Sequence, residues 1–269
     1  MVTEATDTVA ATRSRIQIQG AAKSFSGRTV VDIDDLTLGE YPVEGLIGPN
    51  GAGKTTLMRM IMHSTKLDRG TVTLVRPDGD DRGDVVLSEL PTYAMAGLGV
   101  VKTNQVIMDF EKLTMWDSML LSVAKPKQEL PFKIFAEAPL FAEHEEEMRH
   151  YLDFFSLTDP ADQAGSAGEK KLLDIVRCLL LKPSFLLLDE PTAGLPDDLT
   201  EKVMEAIRLL AASGTSVVVV EHDLNVIWNL SDQVHFMAEG SVILQGTPEE
   251  IRRHETVVEK YLGEGHVGG

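Results

Sequence analysis

GPNGAGKTT, residues 48–56, is the stretch that decides how the rest of the chain is read. It fits G-x-x-x-x-G-K-[ST] through Gly48, Gly53, Lys54 and Thr55. A polyphosphate concentrates several negative charges in a small volume. Backbone amides must point inward at it, with glycines where the chain approaches closely. A lysine meets the outer phosphates, and a hydroxyl reaches the magnesium ion that accompanies them. Val43–Ile47, just before the loop, is a short and largely apolar run that predicts a strand; Leu57–Met62 predicts a Met-rich helix after it. That order makes Gly48, Pro49, Asn50, Gly51, Ala52, Gly53, Lys54, Thr55 and Thr56 the candidate contacts of a nucleoside triphosphate.

Outward from the loop, Phe185–Leu188 and Val217–Val220 are four-residue apolar runs, too short for buried helices and typical of central parallel strands. A helical stretch at 197–213 lies between them and makes a strand–helix–strand unit. The first run delivers Asp189 and Glu190 at its C-terminal end, beside the phosphate loop. Asp189 suits Mg²⁺, and Glu190 suits polarisation of an attacking water. Residues 168–181 predict a further helix. From 106 to 163 helical pattern dominates, with Pro126, Pro131 and Pro139 expected to break it into short pieces. Met148, Tyr151, Leu152 and Phe155 form one amphipathic stripe there. Ile16, Ile18 and Val30–Leu38 read as strands around a Ser-Phe-Ser-Gly turn. The expected organisation is an α/β core at 14–105 and 164–247 with a β-rich N-terminal part. A helical subdomain is inserted at 106–163, a disordered lead-in occupies 1–13, and a tail follows at 248–269.

Pro191-Thr192-Ala193-Gly194-Leu195 directly after the acidic pair, and VVVVEHDL at 217–224, resemble the ATP-binding cassette family of ATPases, over about residues 16–262. The resemblance implies a P-loop NTPase fold of the cassette type and hydrolysis of ATP with Mg²⁺. It implies that Gln105, in GVVKTNQ, touches Mg²⁺ or the lytic water, and that His222 contacts the γ-phosphate. It implies that Phe25 stacks on adenine. The family signature, usually Leu-Ser-Gly-Gly-Gln, is matched by Gly165-Ser166-Ala167-Gly168-Glu169. Ser166, Gly168 and Glu169 would then meet the γ-phosphate held by an opposite protomer, a homodimer mate or a sibling ATPase. Gly165, Ala167 and Glu169 depart from the usual residues, and Pro196 stands where Asp or Asn is usual. The tail at 231–263, with EHDLNVIWNLSD at 221–232, resembles the ATPase subunits of branched-chain amino-acid and urea importers. That implies integral membrane permease partners, an indirectly linked solute-binding protein, and a place on the inner face of the cell membrane. Val106–Phe110, Leu113, Met115 and Trp116 are rich in large apolar side chains that would suit permease docking. Two alternatives stay open at this stage: a soluble cassette ATPase acting on a macromolecular assembly, and a regulatory ATP-binding subunit with weak turnover.

The formal net charge of −17 argues against a broad nucleic-acid surface. One cysteine, Cys178, excludes an internal disulfide framework and is expected to be a buried inert thiol. No apolar run is long enough to span a bilayer, and the polar first residues lack a secretory h-region, so a cytosolic protein is expected. Asp78, Asp80, Gly83, Asp84 and Glu89 echo a calcium-loop spacing, but Arg82 occupies a ligand position, which predicts a solvated turn. His144 and His150 do not have a helical zinc spacing. The run Glu143, Glu145, Glu146 and Glu147 predicts a wet helix face.

Overall fold

The alternation of buried and exposed residues along Arg15–Phe25 (β1) and Arg28–Leu38 (β2) makes a hairpin with one dry face, closed by Ser26 and Gly27 in left-handed conformations. The computed structural model describes residues 12–103, 114–123, 137–157 and 166–257. β3 (Val43–Ile47) is buried along its whole length, and α1 (Lys54–Ile61) follows the glycine loop. β4 (Arg69–Val75) returns antiparallel to β1, and β5 (Val85–Val86) completes a four-stranded sheet ordered β2-β1-β4-β5. Three 3₁₀ turns between Leu87 and Leu98 lead to β6 (Val100–Lys102). The described part of the insert contains α2 (Met115–Val123) and α3 (Glu137–Phe155). Then come α4 (Ala167–Leu180), β7 (Phe185–Asp189), α5 (Asp197–Ala212), β8 (Ser216–Val220) and α6 (Leu224–Leu230). The chain closes through β9 (Gln233–Ala238), β10 (Ser241–Gly246), α7 (Pro248–Arg253) and α8 (Glu255–Val257).

The second sheet runs β10-β9-β3-β8-β7-β6; β3 pairs in parallel with β8 and β9, β7 pairs in parallel with β6 and β8, and β10 is the antiparallel edge. Its strands read as continuous apolar runs because both faces are covered. Phe185, Leu187, Val218 and Val220 pack with α1 and the four-stranded sheet, while Leu186, Leu188, Val217 and Val219 pack with α4, α5 and the insert. One polar interruption is matched across the sheet: buried Glu44 of β3 meets buried His235 of β9 at 3.0 Å.

Met148, Leu152 and Phe155 are buried against α4, as their spacing predicts. Pro139 does not break the helix, since it lies within α3. The stretch 78–84 is a turn held by arginines, with Arg82 and Arg76 both pairing with Asp80. Arg13, at the end of the expected lead-in, is fixed by guanidinium bonds to Thr215 O (2.9 Å) and Ala211 O (2.8 Å). Residues 1–11 lie outside the described residues.

A buried polar cluster joins the insert to α4. Arg177 donates to Asp174 at 2.8 Å and to the Ser118 hydroxyl of α2. Burial pushes the Asp174 carboxyl up to about 6, with Arg177 opposing, and pushes the Cys178 thiol up to about 12. Cys178 is therefore the inert thiol expected. The raised carboxyl has a stability consequence. Between its ordinary unfolded range and pH 6 the folded state binds more protons than the unfolded state, so this contribution is lost as pH rises. The stability of the wild type minus that of Asp174→Asn should fall by on the order of 2 kcal/mol from pH 4.5 to 7.5. Denaturant titrations at both pH values measure it, and a pH-independent difference would contradict the assignment.

Candidate active site

The glycine loop owes its path to two close approaches. Gly48 has φ 150°, and a Cβ there would fall 1.9 Å from Met237 O; Gly53 has φ 106°, and its Cβ would fall 2.7 Å from Val30 O. Gly53 is the N-cap of α1 and supplies no side-chain cap, which leaves the first-turn amides for an anion. Lys54 folds back along the loop, its Nζ donating to Gly48 O at 2.6 Å and Pro49 O at 3.2 Å. Its side chain is buried, and desolvation lowers its pKa against the opposing fields of Glu190 and Asp189. The loop cation and the two strand-end carboxylates therefore share one electrostatic neighbourhood.

Asp189 closes β7. Its N–H donates to Thr103 Oγ1 at 2.9 Å, and its Oδ2 accepts from Lys102 Nζ at 2.9 Å. Glu190 adopts φ +50°, a left-handed conformation unusual for a residue with a Cβ. Its N–H is anchored on Val220 O at 2.8 Å. Its carboxylate meets His222 Nε2 at 2.9 Å, and both side chains are about half exposed. Behind them lies Glu221, 1% exposed, which accepts from Thr192 N and Thr192 Oγ1 at 2.7 Å each and from His222 N at 3.2 Å. One buried carboxylate thus joins the loop after Glu190 to the loop carrying His222. Lys171 Nζ donates to Glu190 O at 2.7 Å and Ala193 O at 2.6 Å.

Lys54, Asp189, Glu190 and His222 are brought together as the sequence suggested. Ser166, Gly168 and Glu169 form their own group at the N-terminus of α4. Ser166 Oγ accepts from Glu169 N at 3.1 Å, and Glu169 Oε2 accepts from Ser166 N at 2.8 Å, a reciprocal capping box. The glutamate so places a negative charge where the family places a neutral glutamine. Phe25 is 49% exposed, so it is not a core residue, and Lys23 Nζ stands 5.4 Å from its ring. Gln105, Val106–Phe110, Leu113 and Gly165 lie outside the described residues. Met115 is buried, which removes it from the surface anticipated for docking, while Trp116 is partly buried against the core with Arg149 5.0 Å from its ring. Lys102, Thr103, Lys171 and Glu221 were not anticipated.

The model of the ABC transporter family matches residues 31–193, more than half of the chain. The chain belongs to that family. A second model, described as "Branched-chain amino acid ATP-binding cassette transporter", matches residues 241–267. The chain is 31% identical over 257 residues to the high-affinity branched-chain amino acid transport ATP-binding protein LivG of Salmonella typhimurium, covering 93% of this chain and 98% of LivG. It is 32% identical to the lipopolysaccharide export system ATP-binding protein LptB of Escherichia coli, covering 90% of this chain and 95% of LptB. Among solved structures it resembles the ADP conformation of MJ1267, an ATP-binding cassette of an ABC transporter, with TM-score 0.73 and 25% identity over 93% of this chain and 99% of that one. The fold is that of the ABC cassettes, and the chain is an ATPase subunit of a membrane transporter. Among the described residues no helix is long and apolar enough to cross a membrane.

Proposed function

We propose that this ATPase subunit powers import of branched-chain amino acids, docked on the cytoplasmic face of membrane permease subunits. Overall identity does not separate importer from exporter, since LivG and LptB are matched almost equally. The observation that carries the reading is the match of residues 241–267 to the branched-chain cassette model. Coexpression with the permease and solute-binding protein of one such importer tests it. Leucine uptake that depends on Lys54 supports the reading, and ATP hydrolysis without uptake of any branched-chain amino acid contradicts it.

The residues fit the reaction. The α1 amides and Lys54 bind the β- and γ-phosphates and balance charge that develops on the transferring phosphoryl group. Thr55 and Asp189 supply hard oxygen ligands suited to Mg²⁺, with Gln105 as a further ligand; the ion neutralises phosphate charge when bound. Glu190 orients and deprotonates the attacking water, and His222 holds the Glu190 carboxylate while facing the γ-phosphate. The N-terminus of α4 completes the site of a second protomer. A Cβ at Gly168 would meet only Leu195 Cδ2, at an ordinary 3.5 Å, and Ser166 Oγ at 3.8 Å. Packing among the described residues does not demand a glycine there, whereas a close approach from another protomer would.

The exposed ring of Phe25 stacks on adenine in this reading. Phe25→Ala should weaken ATP binding by about 1–3 kcal/mol while tripolyphosphate binding is unchanged. Equal loss for both ligands, measured by calorimetry, would make the ring a packing residue.

The permease docks in a groove of about 560 Å³ lined by Tyr93, Ala96, Val100, Val101 and Leu181, beside Lys102. Tyr93 is 87% exposed there. Tyr93→Ala should lower uptake about tenfold, the loss expected of one aromatic anchor. Hydrolysis by the isolated chain should stay unchanged. Normal uptake by the variant would move the docking surface elsewhere.

A further inference from the structure

We infer that Lys171 is a positioning residue for Glu190, tying the first turns of α4 to the backbone that aims the catalytic carboxylate. A residue with a Cβ stays at φ +50° only where contacts on both sides hold it. On the amide side the hold is the bond from Glu190 N to Val220 O, 2.8 Å. On the carbonyl side the turn's own bond, Ala193 N to Glu190 O, is long at 3.4 Å, whereas Lys171 Nζ reaches the same oxygen at 2.7 Å. The ammonium also takes Ala193 O at 2.6 Å, so one cation grips both ends of the turn that follows β7. Such charge-assisted bonds are short and directional.

The other end of this lever is rigid. Lys171 lies in α4 just after the Ser166–Glu169 capping box, so its Cα moves with the helix terminus. The group at the α4 N-terminus and the Glu190 carboxylate are thereby joined within one chain. The consequence rests on the reading of Glu190 as the residue that prepares water, but the placement itself can be observed without hydrolysis. His222 is the reporter, because its Nε2 is 2.9 Å from Glu190 Oε1.

The test compares Lys171→Met and Lys171→Arg with the wild type, using the full chain. In the nucleotide-free protein the His222 ring resonances, assigned with His222→Gln, should shift in Lys171→Met and stay in place in Lys171→Arg. With ATP and Mg²⁺, Lys171→Met should lose about tenfold in kcat with KM within about twofold, the pattern of an interaction that matters after binding, and the arginine variant should recover most of it. If Lys171→Met does not fold, Lys171→Gln, which keeps a neutral donor, is measured in the same way. His222 resonances and kcat both unchanged would overturn the inference. A His222 shift in Lys171→Met alongside a wild type that hydrolyses no ATP would uphold the placement and refute the reading of Glu190.

Discussion

Glu190→Gln should lower ATP turnover by about 10²-fold or more while leaving ATP affinity intact, since a positioned general base is typically worth that much. The substitution is nearly isosteric. A Gln carbonyl can still accept from His222, and the backbone bonds to Val220 and Lys171 do not involve the side chain. What is lost is the proton acceptor. If two protomers close on ATP and open on hydrolysis, the variant should also accumulate as an ATP-dependent dimer, visible by sedimentation. Turnover equal to wild type would remove Glu190 from the mechanism.

Lys54→Ala should abolish detectable ATP binding. The lysine is buried along the loop, and its pKa is already lowered by desolvation. A bound polyphosphate would replace the Gly48 and Pro49 carbonyls as its partner and offset the desolvation that burial imposes. Calorimetry with ATP measures the loss directly. Retained binding would mean that the phosphates sit elsewhere.

The parts of this site that were legible in the sequence are those whose chemistry is local. The glycine loop is contiguous, and Asp189 and Glu190 end an apolar run whose length alone makes it a central strand. His222 follows a second run of the same kind. The residues that were not legible act over distance: Lys102 meets Asp189 across 87 positions, Glu221 meets Thr192 across 29, and Lys171 meets Glu190 across 19. A lysine on a helix reads as solvated, and an acid after a strand reads as a strand end, until the fold shows what stands opposite. Glu44 illustrates the same point inside a strand: one carboxylate oxygen accepts from Tyr41 N nearby, but the other meets His235, 191 positions later. Pro139 was misread as a break, and the helix runs through it. Met115 was offered for docking with its neighbours after Gln105, and only the fold shows that it is buried.

The departure at Glu169 bears on the same chemistry. Its carboxylate caps α4 through Ser166 N, so the helix terminus that would meet a γ-phosphate already carries a negative charge.

The central claim is that Lys54, Asp189 and Glu190 form a hydrolytic site for ATP on this chain. Phosphate release by the purified protein, followed with and without Mg²⁺ beside Lys54→Ala, tests it most directly. Mg²⁺-dependent release that disappears in the variant is the result predicted here. Release that persists in Lys54→Ala, or a wild type that binds ATP and releases no phosphate, would contradict it.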